Sequence, residues 1–281
     1  MKVVGVPEHF NLPWYELSDS GVVDWTPVPE GTGKMLDQLA ARDVDLALLL
    51  TEGAVAGIAQ GQPVRILGAY VDSPVVWGVH VAANGALTQP ADLVGQRFAI
   101  SRYSSGSHLM AGVYAREQQW PTAPQDFVVV NTLAGARQAL PTGEADIFLW
   151  EKLTTQFCVD AGEFRRIDEI PTPWPALVAC IHADASADEQ ATAERTLQLA
   201  LARAQEIRLR ATVVDDIARR FQLDRAGVRQ WLSLTRWSAD GVISDEVLTA
   251  TADTLVEAGL LANRPEVTAL RPRPSTMRND L

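Results

Sequence analysis

Along the first 180 residues, short β-branched or apolar runs alternate with helical stretches, and this rhythm confines the chain to an α/β architecture. The runs are KVVGV (2–6), VVDWTPV (22–28), VDLALLL (44–50), VRILGAYV (64–71), VWGVHVAA (76–83), RFAIS (97–101), FVVVN (127–131) and ADIFLWE (145–151). Helices are predicted over 32–42, 106–119 and 134–140, with another after Glu151. The connections between runs are short, which predicts parallel sheets. After a further run, ALVACIHA (176–183), only helical signals follow. Ser186 with Asp188 and Glu189 starts one helix, Leu197, Leu201 and Ala204 form its apolar stripe, and Arg203, Arg208 and Arg210 load its positive end. Ser244, Asp245 and Glu246 open a last helix that Gly259 closes, and the Pro/Arg-rich tail 271–281 reads as frayed.

The strands at 76–83 and 176–183 bracket a self-contained αβ block. The chain is therefore expected to leave one lobe, build a second and return: 1–80 and 181–281 form the first lobe, 81–180 the second. Two lobes joined by two crossovers enclose a cleft, and small ligands favour the carboxyl ends of the strands that line such a crevice.

Composition removes several function classes. A net charge of −11 repels a phosphate backbone, which disfavours nucleic acid as a partner. The two cysteines, Cys158 and Cys180, lie far apart with no CxxC or Cys/His cluster, so no metal site or disulfide framework is expected. No apolar run approaches the ~20 residues of a membrane helix. The opening MKVVGVPEHF lacks a secretory h-region, so the expected location is cytoplasmic, or periplasmic or membrane-anchored if a leader was removed. No GxGxxG, P-loop, HExxH or GxSxG pattern occurs, so neither a cofactor nor a catalytic constellation is indicated. His80 and His182 lie inside apolar strands and read as structural.

The candidate ligand contacts sit where strands end. In SRYSSGSHLM (101–110), Ser104, Ser105, Gly106 and Ser107 surround a helix start whose unpaired amides could hold an anion, with His108 beside them; a plain helix cap explains the hydroxyls equally well. Gly31 and Thr32 form a second strand-to-helix turn, where glycine either approaches a ligand or only supplies positive φ. Thr51 and Glu52 close the run 44–50, and Glu52 either accepts bonds from an amine-bearing ligand or stabilises its own helix dipole. Trp150 and Glu151 end another strand, an aromatic and a carboxylate suited to stacking and hydrogen bonding, although Trp150 may equally belong to the core.

With these segments in view, the chain resembles the type II solute-binding proteins, the group that handles nitrate, sulfonates, taurine and thiamine-pyrimidine precursors. The resemblance spans nearly the whole chain and rests on EHFNLPW, EGTGKMLDQLAARDVDLALLLTEG, GQPVRILGAYVDSP, DLVGQRFAISRYSSGSHLMAGVYA and GEADIFLWE in that order. It implies a two-lobed periplasmic-binding-protein-like fold with a helical C-terminal part, and a cleft ligand held by His9 and Phe10 together with the turns above. It also implies an ABC-transporter permease as a partner. A cytosolic lyase or synthase resembling chorismate dehydratases, with His108 or Glu151 as acid or base, is the alternative. The segment 213–237 also has the look of a helix-turn-helix, either a packing hairpin or a DNA-binding unit.

Overall fold

In the computed structural model, which describes residues 1–121 and 126–272, the alternation resolves into two five-stranded sheets. The first contains β1 (Lys2–Gly5), β2 (Asp24–Pro27), β3 (Leu46–Leu50), β4 (Val64–Val71) and β10 (Leu177–His182), in the order β2-β1-β3-β10-β4. Helices α1 (Leu12–Asp19), α2 (Thr32–Ala40) and α3 (Thr51–Ala59) connect its strands. The second contains β5 (Val76–Ala82), β6 (Phe98–Ile100), β7 (Phe127–Val129), β8 (Ile147–Glu151) and β9 (Phe164–Pro171), in the order β7-β6-β8-β5-β9, with α4 (Gly106–Glu117), α5 (Leu133–Thr142) and α6 (Gln156–Asp160). The chain then finishes with α7 (Ala187–Arg208), α8 (Val213–Phe221), α9 (Arg225–Leu234), α10 (Asp245–Glu257) and α11 (Val267–Leu270). This is the expected two-lobed α/β fold with a helical C-terminal part.

Three details differ from the sequence reading. The sheets are mixed, not parallel: β10 runs antiparallel to β3 and β4, and β5 antiparallel to β8 and β9. A strand arriving by a crossover from the other lobe enters its sheet from the opposite end, and a short linker cannot turn it round. β5 pairs wholly within the second sheet, so the outward crossover falls at 72–75 instead of after residue 80. β9 escaped notice because FRRIDEIP fully buries only Phe164 and Ile170 and carries four charges; it is an edge strand. Of the tail 271–281, residues 273–281 lie outside the described residues.

The two crossovers pair with each other. Thr172 N donates to Val75 O (2.9 Å), Val75 N to Thr172 Oγ1 (3.1 Å), and Ala176 N to Ser73 O (3.0 Å). Paired crossing strands can flex together without losing their bonds, which is the construction of a hinge. The stripe of α7, Leu197, Leu201 and Ala204, is buried as its period requires, and Ser186 and Glu189 form its capping box. In the 213–237 hairpin, Val213, Ile217, Val228 and Trp231 are buried, while Arg219, Arg220 and Arg225 pair with Asp216, Asp19 and Asp215. The hairpin packs through those apolar side chains, and three of its arginines are held in ion pairs at the surface. No helix among the described residues is long and apolar enough to cross a membrane.

The C-terminal part is keyed to the first sheet at Gly68 in β4. A Cβ there would lie 2.3 Å from the Gly241 carbonyl oxygen, which accepts the amide of Ala69 at 2.9 Å. Gly68→Ala is expected to cost about 2–3 kcal/mol, read as a lower urea midpoint with an unchanged slope.

Candidate functional site

The strand-end turns of both sheets converge on a cavity of about 260 Å³ between the lobes. From the first lobe come the turn after β1 with Glu8 and Phe10, the start of α2 with Gly31 and Thr32, and Leu50 at the end of β3. From the second come Ser101, Arg102, Ser105, Gly106 and Ser107 around the start of α4, Asn131 and Thr132 before α5, and Trp150, Glu151 and Thr154 at the end of β8. Trp77, just past the hinge in β5, lies between them. Three helices of eight residues or more thus begin at the cavity wall, and their first amides lack intrahelical partners.

The lobes meet closely around it. A Cβ on Gly106 of α4 would lie 2.6 Å from Leu50 Cδ1 of the first lobe and 3.0 Å from the Trp77 ring. Further out, Gln60 Nε2 donates to Ser104 Oγ (3.2 Å) and Arg116 pairs with Glu257. These contacts describe a closed molecule.

Of the residues singled out from sequence, Phe10, Gly31, Thr32, Ser105, Gly106, Ser107, Trp150 and Glu151 line the cavity. Ser105 caps α4, its Oγ accepting the His108 amide and donating to Arg102 O, so the capping reading of that hydroxyl is also correct. Ser107 Oγ accepts the Ser101 amide at 2.9 Å and contacts Ser105 Oγ at 3.0 Å. Glu151 is held by the Leu153 amide on one oxygen and by the Thr154 amide and hydroxyl on the other. Trp150 stacks on Phe148, with ring centroids 5.2 Å apart.

The other five stand behind or outside the wall. His9 is buried under Phe10 and Trp231, its Nε2 lying 3.9 Å from Glu151 Oε1 with no hydrogen-bond partner. Burial pulls its pKa down against the pull of the Glu151 charge, which keeps the ring neutral near neutral pH. Thr51 donates to Pro175 O, tying β3 to the hinge. Glu52, wholly buried, accepts the Trp174 indole N–H at 2.7 Å, and burial pushes its pKa up to about 7. Ser104 and His108 face outward from the α4 start: Ser104 lines an open groove at the cleft mouth, and His108 Nδ1 accepts the Ser104 amide while its ring packs on Tyr103 and Phe127. His108 therefore has no access to a cavity ligand as a general acid or base.

Sequence reading passed over Glu8, Arg102, Asn131 and Thr132, all on the wall, where Trp77 also stands. Glu8 is pushed up to about 8 by burial and by the nearby Glu151 charge. Arg102 reaches from the second lobe over the α2 turn, where a Cβ on Gly33 would lie 2.9 Å from its Nε. Half-burial lowers its pKa, opposed by Asp37 and Glu30. A larger open groove of about 890 Å³ at the far end of the second sheet holds charges already satisfied, Arg137 by Glu163 and Asp146 by Arg97. Among the described residues, no group of His, Cys, Asp and Glu side chains is placed to hold a metal ion.

Residues 77–170, the bulk of the second lobe, match the family model described as Ca3427-like PBP. The Candida albicans CA3427 gene product, described as defining a new family with the generic periplasmic binding protein fold, superposes with a TM-score of 0.88 at 27% identity, over 95% of this chain and 92% of that one. The alkanesulfonate-binding protein SsuA of Xanthomonas axonopodis pv. citri, solved with bound MOPS, gives 0.77 at 18% identity over 98% of each chain. The aliphatic sulphonate-binding SsuA of Escherichia coli gives 0.72 at 17% over 95% of each. No curated protein is similar enough to count as a match. The chain thus has the type II periplasmic-binding-protein fold it was expected to have, and its second lobe carries the Ca3427-like pattern.

Proposed function

We propose that this chain is a small-molecule binding protein that closes its two lobes on a small anionic or heteroaromatic ligand of the sulfonate, nitrate-like or pyrimidine class. The observation that carries the proposal is the interlobe cavity, walled by strand ends from both sheets and by the starts of α2, α4 and α5. Helix starts and hydroxyls favour an anionic group there, and Phe10, Trp77 and Trp150 favour a flat body. The likeness to proteins described as sulfonate-binding supports the same reading. Delivery to an ABC-transporter permease belongs to this proposal if the chain works outside the cytoplasmic membrane; in the cytoplasm the same capture would serve a sensor. Fractionation of the native host separates the two.

A cavity ligand at about 100 times its dissociation constant stabilises by about 2.7 kcal/mol, which in a chain of this size raises the melting temperature by roughly 5–10 °C. Thermal melts with alkanesulfonates, nitrate, aminopyrimidines and carboxylates should show such a rise for at least one class. Native mass spectrometry of protein from its own host should show the corresponding retained mass. Flat melts across all four classes, with bare protein in the spectrometer, would refute ligand capture.

A further inference from the structure

The cavity has two chemically unlike ends. On one side, Glu8 and Glu151 both line it, and neither has a basic side chain bonded to it: the nearest, His9, is 3.9 Å from Glu151 and kept neutral by burial. Glu151 already takes three donors from its own loop, which fixes its direction and leaves one acceptor position of the usual four. The Glu8 carboxyl takes no hydrogen bond and no ion pair among the described residues; its backbone bonds Val6 O and the Asn11 amide. The Glu8 carboxyl, on a partly dry wall, lacks the donor that such groups normally carry, and Glu151 beside it has one acceptor position left. On the other side stand Arg102, with no side-chain hydrogen bond, the Ser107 hydroxyl and the start of α4. Trp77, only 4% exposed, adds an indole N–H with no acceptor among the described residues.

We propose that the ligand is bipolar: an amine, amidine or similar N–H-bearing group seats against Glu8 and Glu151, an anionic or acceptor group seats between Arg102 and the start of α4, and a flat body joins them beside Trp77 and Trp150. This rests on the capture reading above and narrows it, because a plain alkanesulfonate or nitrate leaves the Glu8 end without a donor. Burial and the Glu151 charge push Glu8 up to about 8, a penalty that a cationic partner removes. The volume suits one substituted ring: about 150 Å³ accommodates benzene, and the cavity holds about 260 Å³.

Three matched probes test it by calorimetry at neutral pH: 4-(aminomethyl)benzoate, which carries both ends, benzoate, which carries only the anion, and benzylamine, which carries only the cation. The two-ended probe is expected to bind at least about tenfold more tightly than either of the others. Glu8→Gln, which keeps the shape and removes the charge, is expected to weaken 4-(aminomethyl)benzoate and benzylamine by about tenfold and to leave benzoate within about twofold. Benzoate binding as tightly as the two-ended probe, or Glu8→Gln leaving both amine probes unchanged, overturns the bipolar assignment while ligand capture stands. If Glu8→Gln does not fold, the order of the three probes on the unaltered chain decides alone. If none of the probes gives heat, nor any of the four ligand classes named above, the capture reading falls and this assignment with it.

Discussion

Replacing Gly106 with valine is expected to weaken ligand binding by about 100-fold, close to 3 kcal/mol, while the chain stays folded. Gly106 is the first residue of α4, and its Cα faces Leu50 across the cleft with room for hydrogen only: a Cβ would lie 2.6 Å from Leu50 Cδ1 and 3.0 Å from Trp77. The clash with Leu50 exists only when the lobes are together, because the two residues belong to different sheets. An open molecule accommodates valine by small adjustments of the Trp77 ring. The substitution therefore acts on the balance between open and closed forms, and a ligand that needs walls from both lobes must spend its binding free energy on forcing the clash. Small-angle scattering should show the unaltered chain contracting on ligand addition and the variant keeping the larger radius. A variant that binds as well as the parent would mean that the ligand does not sit in this cavity, or that closure contributes nothing to holding it.

Much of that geometry is legible from residue patterns. An apolar run ending in a glycine- or hydroxyl-rich turn marks both a strand and the point where its helix begins. That logic located the starts of α2 and α4 and the end of β8, hence Thr32, Ser105, Ser107 and Glu151. Applied to FVVVN it also reaches Asn131 and Thr132, which line the wall in the same way and could have been found. What a linear pattern does not reveal is which side of a helix start faces the cleft. Ser105 and Ser107 point in while Ser104 and His108 point out, because Ser104 takes a left-handed conformation, with φ near 61°, and its amide bonds His108 Nδ1. Nor does it reveal depth: His9 and Glu52 stand one layer behind the wall, their places fixed by Trp231 and Trp174 from segments far away in sequence. The runs of β5 and β10 are legible as strands, but their antiparallel direction is not, since it follows from the crossovers and not from their own residues.

Glu52 gives the other large effect, a loss of stability as pH rises toward 7 that Glu52→Gln should remove, leaving the part due to Glu8. Its carboxyl is fully buried, one oxygen accepts the Trp174 indole, and the other has no partner. Burial raises its pKa from 4.5 to about 7, and that of Glu8 from 4.5 to about 8. Both groups hold their protons more tightly folded than unfolded, so their contribution is fully present below about pH 4.5 and is lost as pH rises through 7 and 8. His80, bonded to Phe148 O and Thr155 Oγ1, behaves oppositely: burial lowers it from 6.5 to about 4, so it favours the folded chain above that window and penalises it below. His9 is lowered in the same direction. Between about pH 4.5 and 6.5 the carboxyls and imidazoles oppose each other; above about pH 6.5 the imidazoles are neutral in both states and the carboxyls act alone. Moving a carboxyl from 4.5 to about 7 corresponds to about 3 kcal/mol. Urea unfolding across about pH 5.5 to 9 should therefore show the parent losing stability above about pH 6.5. Glu52→Gln keeps an oxygen for Trp174 but carries no charge, so its advantage over the parent should grow by about 2 kcal/mol between about pH 5.5 and 7 and stay level above that. Two profiles that run parallel would mean that Glu52 titrates as an ordinary carboxylate, and that water reaches its second oxygen beside the hinge.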